Sequence, residues 1–264
     1  MAQGEEPVRV EPLDLVSATR RLADADLSDR YGAFLPSLAA QAVRAGGRAS
    51  VAVGDDPPSV VGVLLTDPAD ATASVFTRSL AIATQLRAEA PTLAVYAEHP
   101  LDGPSERFVV GEADPGATPA HRFRHRVRLA SPADLQGVGR LLGQAYGPAA
   151  QRWAEGASVD GERCVIADVG GAIAGAGWLL VCGERARLHT LYVRPELRRL
   201  GVATDLVAAR LMLAARAGAH LAISEVAEQN TGSLLASQRA GLRPAGEIRL
   251  YAPLRPEATG PTSA

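Results

Sequence analysis

Arg198, Arg199 and Gly201 lie close together in the chain, and Val202, Ala203 and Thr204 follow directly. Arginine is permanently charged and presents a fork of donors suited to phosphate oxygens. Glycine, with a small neighbour such as Ala203, lets an anion approach the main chain closely. Downstream, Leu206, Ala209 and Leu213 recur at helical spacing, with Val207 and Leu211 beside them. The arginine–glycine loop, Leu200 included, therefore leads into a helix N-terminus. There the first-turn N–H groups lack helical partners and the helix dipole is positive. The natural guest is a pyrophosphate.

The element before the loop must deliver it. Arg187 to Val193 is rich in β-branched, aromatic and aliphatic residues, as strands are. Pro195 stops the strand because it cannot donate to a ladder. The order is strand, arginine-bearing loop, glycine, helix. No Gly-Lys-Ser/Thr follows and no G-x-G-x-x-G is present, so neither a P-loop nor a dinucleotide fingerprint accounts for it.

With the strand and Val193-x-Pro195 before it, Arg198-x-x-Gly201-x-Ala203 resembles the R/Q-x-x-G-x-G/A signature of the GNAT acetyltransferases. The resemblance implies that Arg198, Arg199, Leu200, Gly201, Val202, Ala203 and Thr204 hold the pyrophosphate of acetyl-CoA. It implies that the central strand splays from its neighbour. The main chain of Leu191, Tyr192 and Val193 then takes the pantetheine arm, with Val193 N–H the partner of the thioester carbonyl. Ile223-Ser-Glu225-Val226, five residues ahead of Asn230 at the Glu, matches the spacing of the ribosomal-protein alanine acetyltransferases. In those enzymes this Glu is the base. Glu225 is thus the first candidate base, and a strand Glu facing solvent or an arginine is the competing account. His189 is a second candidate, as base or acceptor contact, against a structural histidine. Asn230 would contact the CoA arm, with Ser233 in the turn after it, and Asn is equally favoured as a plain helix cap. One departure stands out. Ser237 occupies the place where the family often carries a tyrosine as general acid, so Tyr192, Tyr251, Tyr146 or water would protonate the thiolate.

The activity implied is transfer of an acyl group from acetyl-CoA, as co-substrate, to a primary amine by direct attack on the thioester. The acceptor is a small amine or a protein amino group. A non-catalytic acyl-CoA sensor or interaction module is the alternative, and a partner-binding protein without CoA the third. The alternatives leave the acceptor, acyl preference and oligomeric state open.

Composition narrows the classes. Over 264 residues the net charge is −2, which gives no support to general nucleic-acid binding. All 27 basic residues are arginine, a compositional bias. The cluster Arg122–Arg128 reads as a solvated strand edge. Cys164 and Cys182 fit no metal spacing and read as core residues of a reducing compartment. The acidic start, Met1 to Pro7, is not a signal peptide, and no apolar run suffices to cross a membrane. A cytoplasmic location is expected.

The coarse order of elements repeats. The first half reads as a strand at Val8–Val10, helices from about Asp14 and over Asp29–Arg44, strands at 49–53, 60–65 and 71–76, a helix at 79–88 and a strand at 93–97. Glu112–His121, rich in Pro and Gly, reads as a linker. The second half reads as a strand at 125–129 and a helix capped by Ser131-Pro132-Ala133-Asp134. A short helix bearing Trp153 follows, then strands at 164–169 and 173–181 joined at Gly170-Gly171. Last come the central strand, the loop and its helix, and then a strand at 220–226, a helix at 233–239 and a strand at 248–251, ahead of a tail from Arg255. The expected fold is α/β (α+β), a tandem of GNAT-like domains, each a mixed central sheet flanked by helices. Residues 1–120 form the first and 121–264 the second. Thr77-Arg78-Ser79 stands where the first half should carry its anion loop, without a glycine, so the first domain is expected not to hold CoA.

Overall fold

The structure, a computed structural model, describes residues 8–254 except positions 24, 26, 45, 56–57, 68–70, 149, 152–153 and 155–161. The readings at Met1–Pro7, at Trp153 and from Arg255 onward lie outside the described residues. The chain divides into two compact units. Residues 1–107 and 248–264 form the first, and residues 108–247 the second. The units thus part in two places rather than once near residue 120. The physical reason is that strands, not the linker, carry the chain from one unit to the other.

In the first unit, β1 (Arg9–Leu13), α1 (Leu15–Leu22), a 3-10 turn (Gly32–Phe34), α2 (Leu35–Arg44), β2 (Ala49–Asp55), β3 (Pro58–Asp67), β4 (Thr72–Thr77), α3 (Leu80–Ala88) and β5 (Ala94–Ala97) follow in order. The sheet runs β1-β2-β3-β4-β5, antiparallel up to β4 and parallel from β4 to β5. The α2 helix starts later than Asp29, since Pro36 is tolerated only in a first turn. Arg249–Tyr251, the end of the last strand, pairs antiparallel with β5. Tyr251 is buried among Val75, Leu86 and Val95, and its hydroxyl donates to His99 O at 3.0 Å.

In the second unit, residues 108–113 belong to β6 (Ser105–Ala113), a strand absent from the sequence reading, where Glu112 opened the linker. Its alternation is blurred by Glu106, Arg107 and Gly111. There follow β7 (Arg126–Leu129), α4 (Pro132–Tyr146), β8 (Glu162–Val169), β9 (Ala172–Cys182), β10 (Arg185–Val193), a 3-10 turn (Pro195–Leu197), α5 (Val202–Arg216), β11 (Leu221–Ala227), α6 (Thr231–Arg239) and β12 (Arg243–Tyr251). β7-β8-β9-β10 is antiparallel, β10 to β11 parallel, and β11 to β6 antiparallel. The strand order of the first unit therefore recurs. α5 buries Leu206, Val207 and Leu211 against one face of the sheet, and α4 buries Val138, Leu141 and Leu142 against Ile166 and Trp178. A Ser131–Asp134 capping box starts α4, as its sequence requires. Among the described residues no helix is long and apolar enough to cross a membrane.

Candidate active site

β10 and β11 are in parallel register only from Arg185 to Arg187, opposite Leu221 to Ile223. Both strands continue beyond, to Val193 and Ala227, so the sheet opens between them. The opening has a local cause. The β9–β10 register shifts between His189 and Tyr192, and Thr190 lies there at φ 49°. A β-branched residue in the left-handed region is strained by about 1–3 kcal/mol and persists only where its surroundings hold it.

Arg210, which the sequence reading missed, is the holding group. It is buried on α5 and donates to Leu206 O, Trp178 O at 3.1 Å and His189 O at 3.2 Å. Among the described residues it has no carboxylate partner. Burial pushes its pKa down to about 9, which leaves it charged at neutral pH. A β-carbon on Gly177 would stand 3.0 Å from its guanidinium, so a side chain there would press on Arg210. An isolated arginine amid helical apolar spacing gives no sequence signal of such a partnership.

Beyond the bulge, Arg194 N–H donates to Ala174 O at 3.0 Å, with Tyr192 opposite Ala176 and Val193 opposite Gly175. Antiparallel pairs alternate. Val193 N–H and C=O therefore face away from β9, towards the opening. Arg198 Nε donates to that carbonyl at 3.2 Å, and its guanidinium stands 5.7 Å from the centre of the Tyr192 ring. Tyr192 meets Tyr146 edge to face. Leu191 is half-buried against the α5 core.

The loop then runs through Arg199 at φ 65° to Gly201 at φ 95°. Gly201 is the N-cap of α5, and no side chain caps it. The helix begins at Val202, directly after the glycine. Ala203 and Thr204 follow in the first turn. Arg198, Arg199 and Leu200 are exposed.

The two candidate bases are brought to one region, each with a partner. Arg187 Nε donates to Glu225 Oε1 at 3.0 Å. His189 Nε2 lies 2.9 Å from Glu162 Oε1, and Nδ1 3.0 Å from Thr190 Oγ1. Burial lowers the His189 pKa against the opposing pull of Glu162, so the ring is neutral at pH 7. Glu162 was not singled out in the sequence, because a strand-end Glu has no local signature. Asn230 caps α6, accepting from Ser233 N at 3.2 Å. Ser237 is buried. Tyr251 drops out as an acid, since its hydroxyl is spent on His99 O and Leu101 N in the first unit. Burial pushes the Cys164 thiol up to about 12, which rules out a thiolate nucleophile at neutral pH.

Residues 134–241 match the model of the Acetyltransferase (GNAT) family. Several solved structures share the fold. A GCN5-related N-acetyltransferase from Sphaerobacter thermophilus is 16% identical, with 96% of this chain and 97% of that one covered at a TM-score of 0.60. One from Kribbella flavida is 17% identical, covering 86% and 97% at 0.57. A tandem GNAT protein from the clavulanic acid biosynthesis pathway is 18% identical, covering 94% and 99% at 0.56. No curated protein matches the chain in sequence. The family match thus falls within the second unit, and the solved structures share the fold.

Proposed function

We propose that the second unit is an acetyl-CoA-dependent N-acetyltransferase acting on a primary amine, and that the first is a GNAT-like domain without a CoA loop. The observation that carries this reading is the uncapped α5 N-terminus, flanked by Arg198 and Arg199, at the end of a strand that splays from its parallel neighbour. First-turn amides and arginines without a carboxylate partner among the described residues fit a diphosphate. Val193 N–H, turned to the opening, supplies a donor to the thioester carbonyl and to the charge that develops on its oxygen. The attacking amine must first lose a proton, since an alkylammonium has a pKa of about 10. His189 suits this task better than Glu225. Its neutral ring can accept a proton, and Glu162 stabilises the cation that results. The Glu225 oxygen nearest Arg187 is already engaged, and His189, whose Nε2 faces Glu162, would take the proton at Nδ1 in place of its contact with Thr190 Oγ1. The first unit would complete the fold or shape the acceptor pocket.

A specific observation favours the sensor reading as runner-up: Ser237 is a buried serine where the family often has its acid. One experiment separates the readings. Thermal stabilisation by saturating acetyl-CoA, with thiol release on a panel of amines, supports the enzyme. Stabilisation without turnover on any amine supports the sensor, and no stabilisation at all removes both.

A further inference from the structure

A second group of residues converges on Gly201 from the segment ahead of β7. Asp205, in the first turn of α5, is buried, with its side chain 1% exposed. It accepts from His121 Nε2 at 2.6 Å, from His125 Nδ1 at 2.7 Å, and from the main-chain amides of Arg124 and His125 at 3.1 and 3.0 Å. One carboxylate thus binds both ends of the 121–125 segment onto the helix start. His121 also stacks edge to face on Phe123. The residue at the middle of this clasp is Arg124. Its Cδ, Nη1 and Nε lie 3.4, 3.7 and 3.9 Å from the point where a β-carbon on Gly201 would stand. Among the described residues its guanidinium has no carboxylate partner, and Arg199 has none either.

We infer that Arg124 is a third cation of the diphosphate site, and that Asp205 is the positioning residue that holds it over the loop. Three arginines then belong to this turn: Arg198 and Arg199 by their place in the loop, and Arg124, which reaches Gly201 from a segment about eighty residues away in the chain. A buried carboxylate at a helix N-terminus is costly unless it is fully hydrogen-bonded, and here four donors meet that condition. The negative charge of Asp205 is directed at the histidines rather than at the loop. The cation left facing Gly201 is the one the ligand meets.

This rests on the CoA reading, and the test separates the two. Binding of CoA, and of CoA lacking its 3′-phosphate, is measured by calorimetry at several salt concentrations. The proteins are wild type, Arg124→Ala, Asp205→Ala and the double variant. Arg124→Ala should weaken both ligands by roughly tenfold, with a shallower salt dependence and an unchanged melting temperature. Asp205→Ala should cost a similar factor, and the double variant little more than either single one. Equal affinity of wild type and Arg124→Ala overturns the inference and leaves the CoA reading standing. A loss confined to intact CoA moves Arg124 to the 3′-phosphate and overturns the diphosphate assignment. Should Asp205→Ala not fold, Arg124→Ala decides alone. Wild-type protein that binds neither ligand removes both the inference and the reading beneath it.

Discussion

The two units use the same junction, a strand leading to a helix beside a parallel strand, and finish it in opposite ways. In the first, β4 ends at Thr77 and α3 begins at Leu80. The turn satisfies itself. Ser79 N–H donates to Thr77 Oγ1 at 3.2 Å, Ser79 Oγ accepts from Ile82 N–H at 3.4 Å, and Arg78 pairs with Asp29 at 2.7 Å. In the second, residues 194–201 separate strand from helix. No side chain caps the helix, and two positive-φ residues turn the main chain. A folded chain normally pairs its polar groups, because leaving them without partners costs stability. On the proposed function, the open amides and the arginines of the second turn are the groups a diphosphate would take. The first unit caps its helix with a side chain, and the second does not.

The largest test of this contrast is a carboxylate placed in each turn. Gly201→Glu should abolish CoA binding, with a loss of roughly a thousandfold from like-charge repulsion and backbone strain. Arg78→Glu should leave CoA affinity unchanged, apart from the loss of a surface ion pair. Isothermal calorimetry reads both, and a CoA loss with Arg78→Glu would mean that the first unit also binds. Next in size, His189→Ala should lower kcat by roughly a hundredfold or more, with little change in the CoA dissociation constant. Glu225→Gln should cost less, and steady-state kinetics that rank the two the other way would return the base to Glu225.

Arg210→Met should destabilise the protein by about 2 kcal/mol or more, because it removes two buried, charge-assisted hydrogen bonds to the carbonyls of Trp178 and His189. The melting temperature reads this, and an unchanged value would mean that the bulge at Thr190 holds itself. The smallest effect is on pH dependence. Burial raises the Asp205 pKa, but hydrogen bonds from His121, His125 and the Arg124 and His125 amides outweigh it, so the folded value lies below the usual one. A depressed folded pKa gives stability that is complete above the unfolded value of about 4 and is lost as pH falls through the folded value. Asp205→Asn should flatten that part of the acid-unfolding curve. A curve that stays superimposable on wild type would show that the clasp adds nothing to stability.

Much of this junction was legible before any coordinates. The loop, its glycine and the helix behind it show as a run of local signals, and so do the Ser131 capping box, the Gly170-Gly171 hairpin and the Asn230 cap. The sheet opening rested on the resemblance, and its cause was not visible. Thr190 reads as an ordinary strand residue, and Arg210 as one more arginine in a chain whose 27 basic residues are all of that kind. The cluster at Arg122–Arg128 read as a solvated strand edge, and Arg124 is exposed, while its place over Gly201 had no local signal.

The sequence by itself determined what neighbours along the chain can decide: where most strands and helices lie, and which half keeps its glycine. Only the tertiary structure decided the pairings across distance. Arg187 against Glu225, Glu162 against His189 and His121 with His125 on Asp205 are such pairings, as are the strands that carry the chain between units at 108 and 248. Periodicity reports which face of an element is apolar. The choice of partner for a polar side chain depends on sheet register and on burial, and both exist only once the chain has folded.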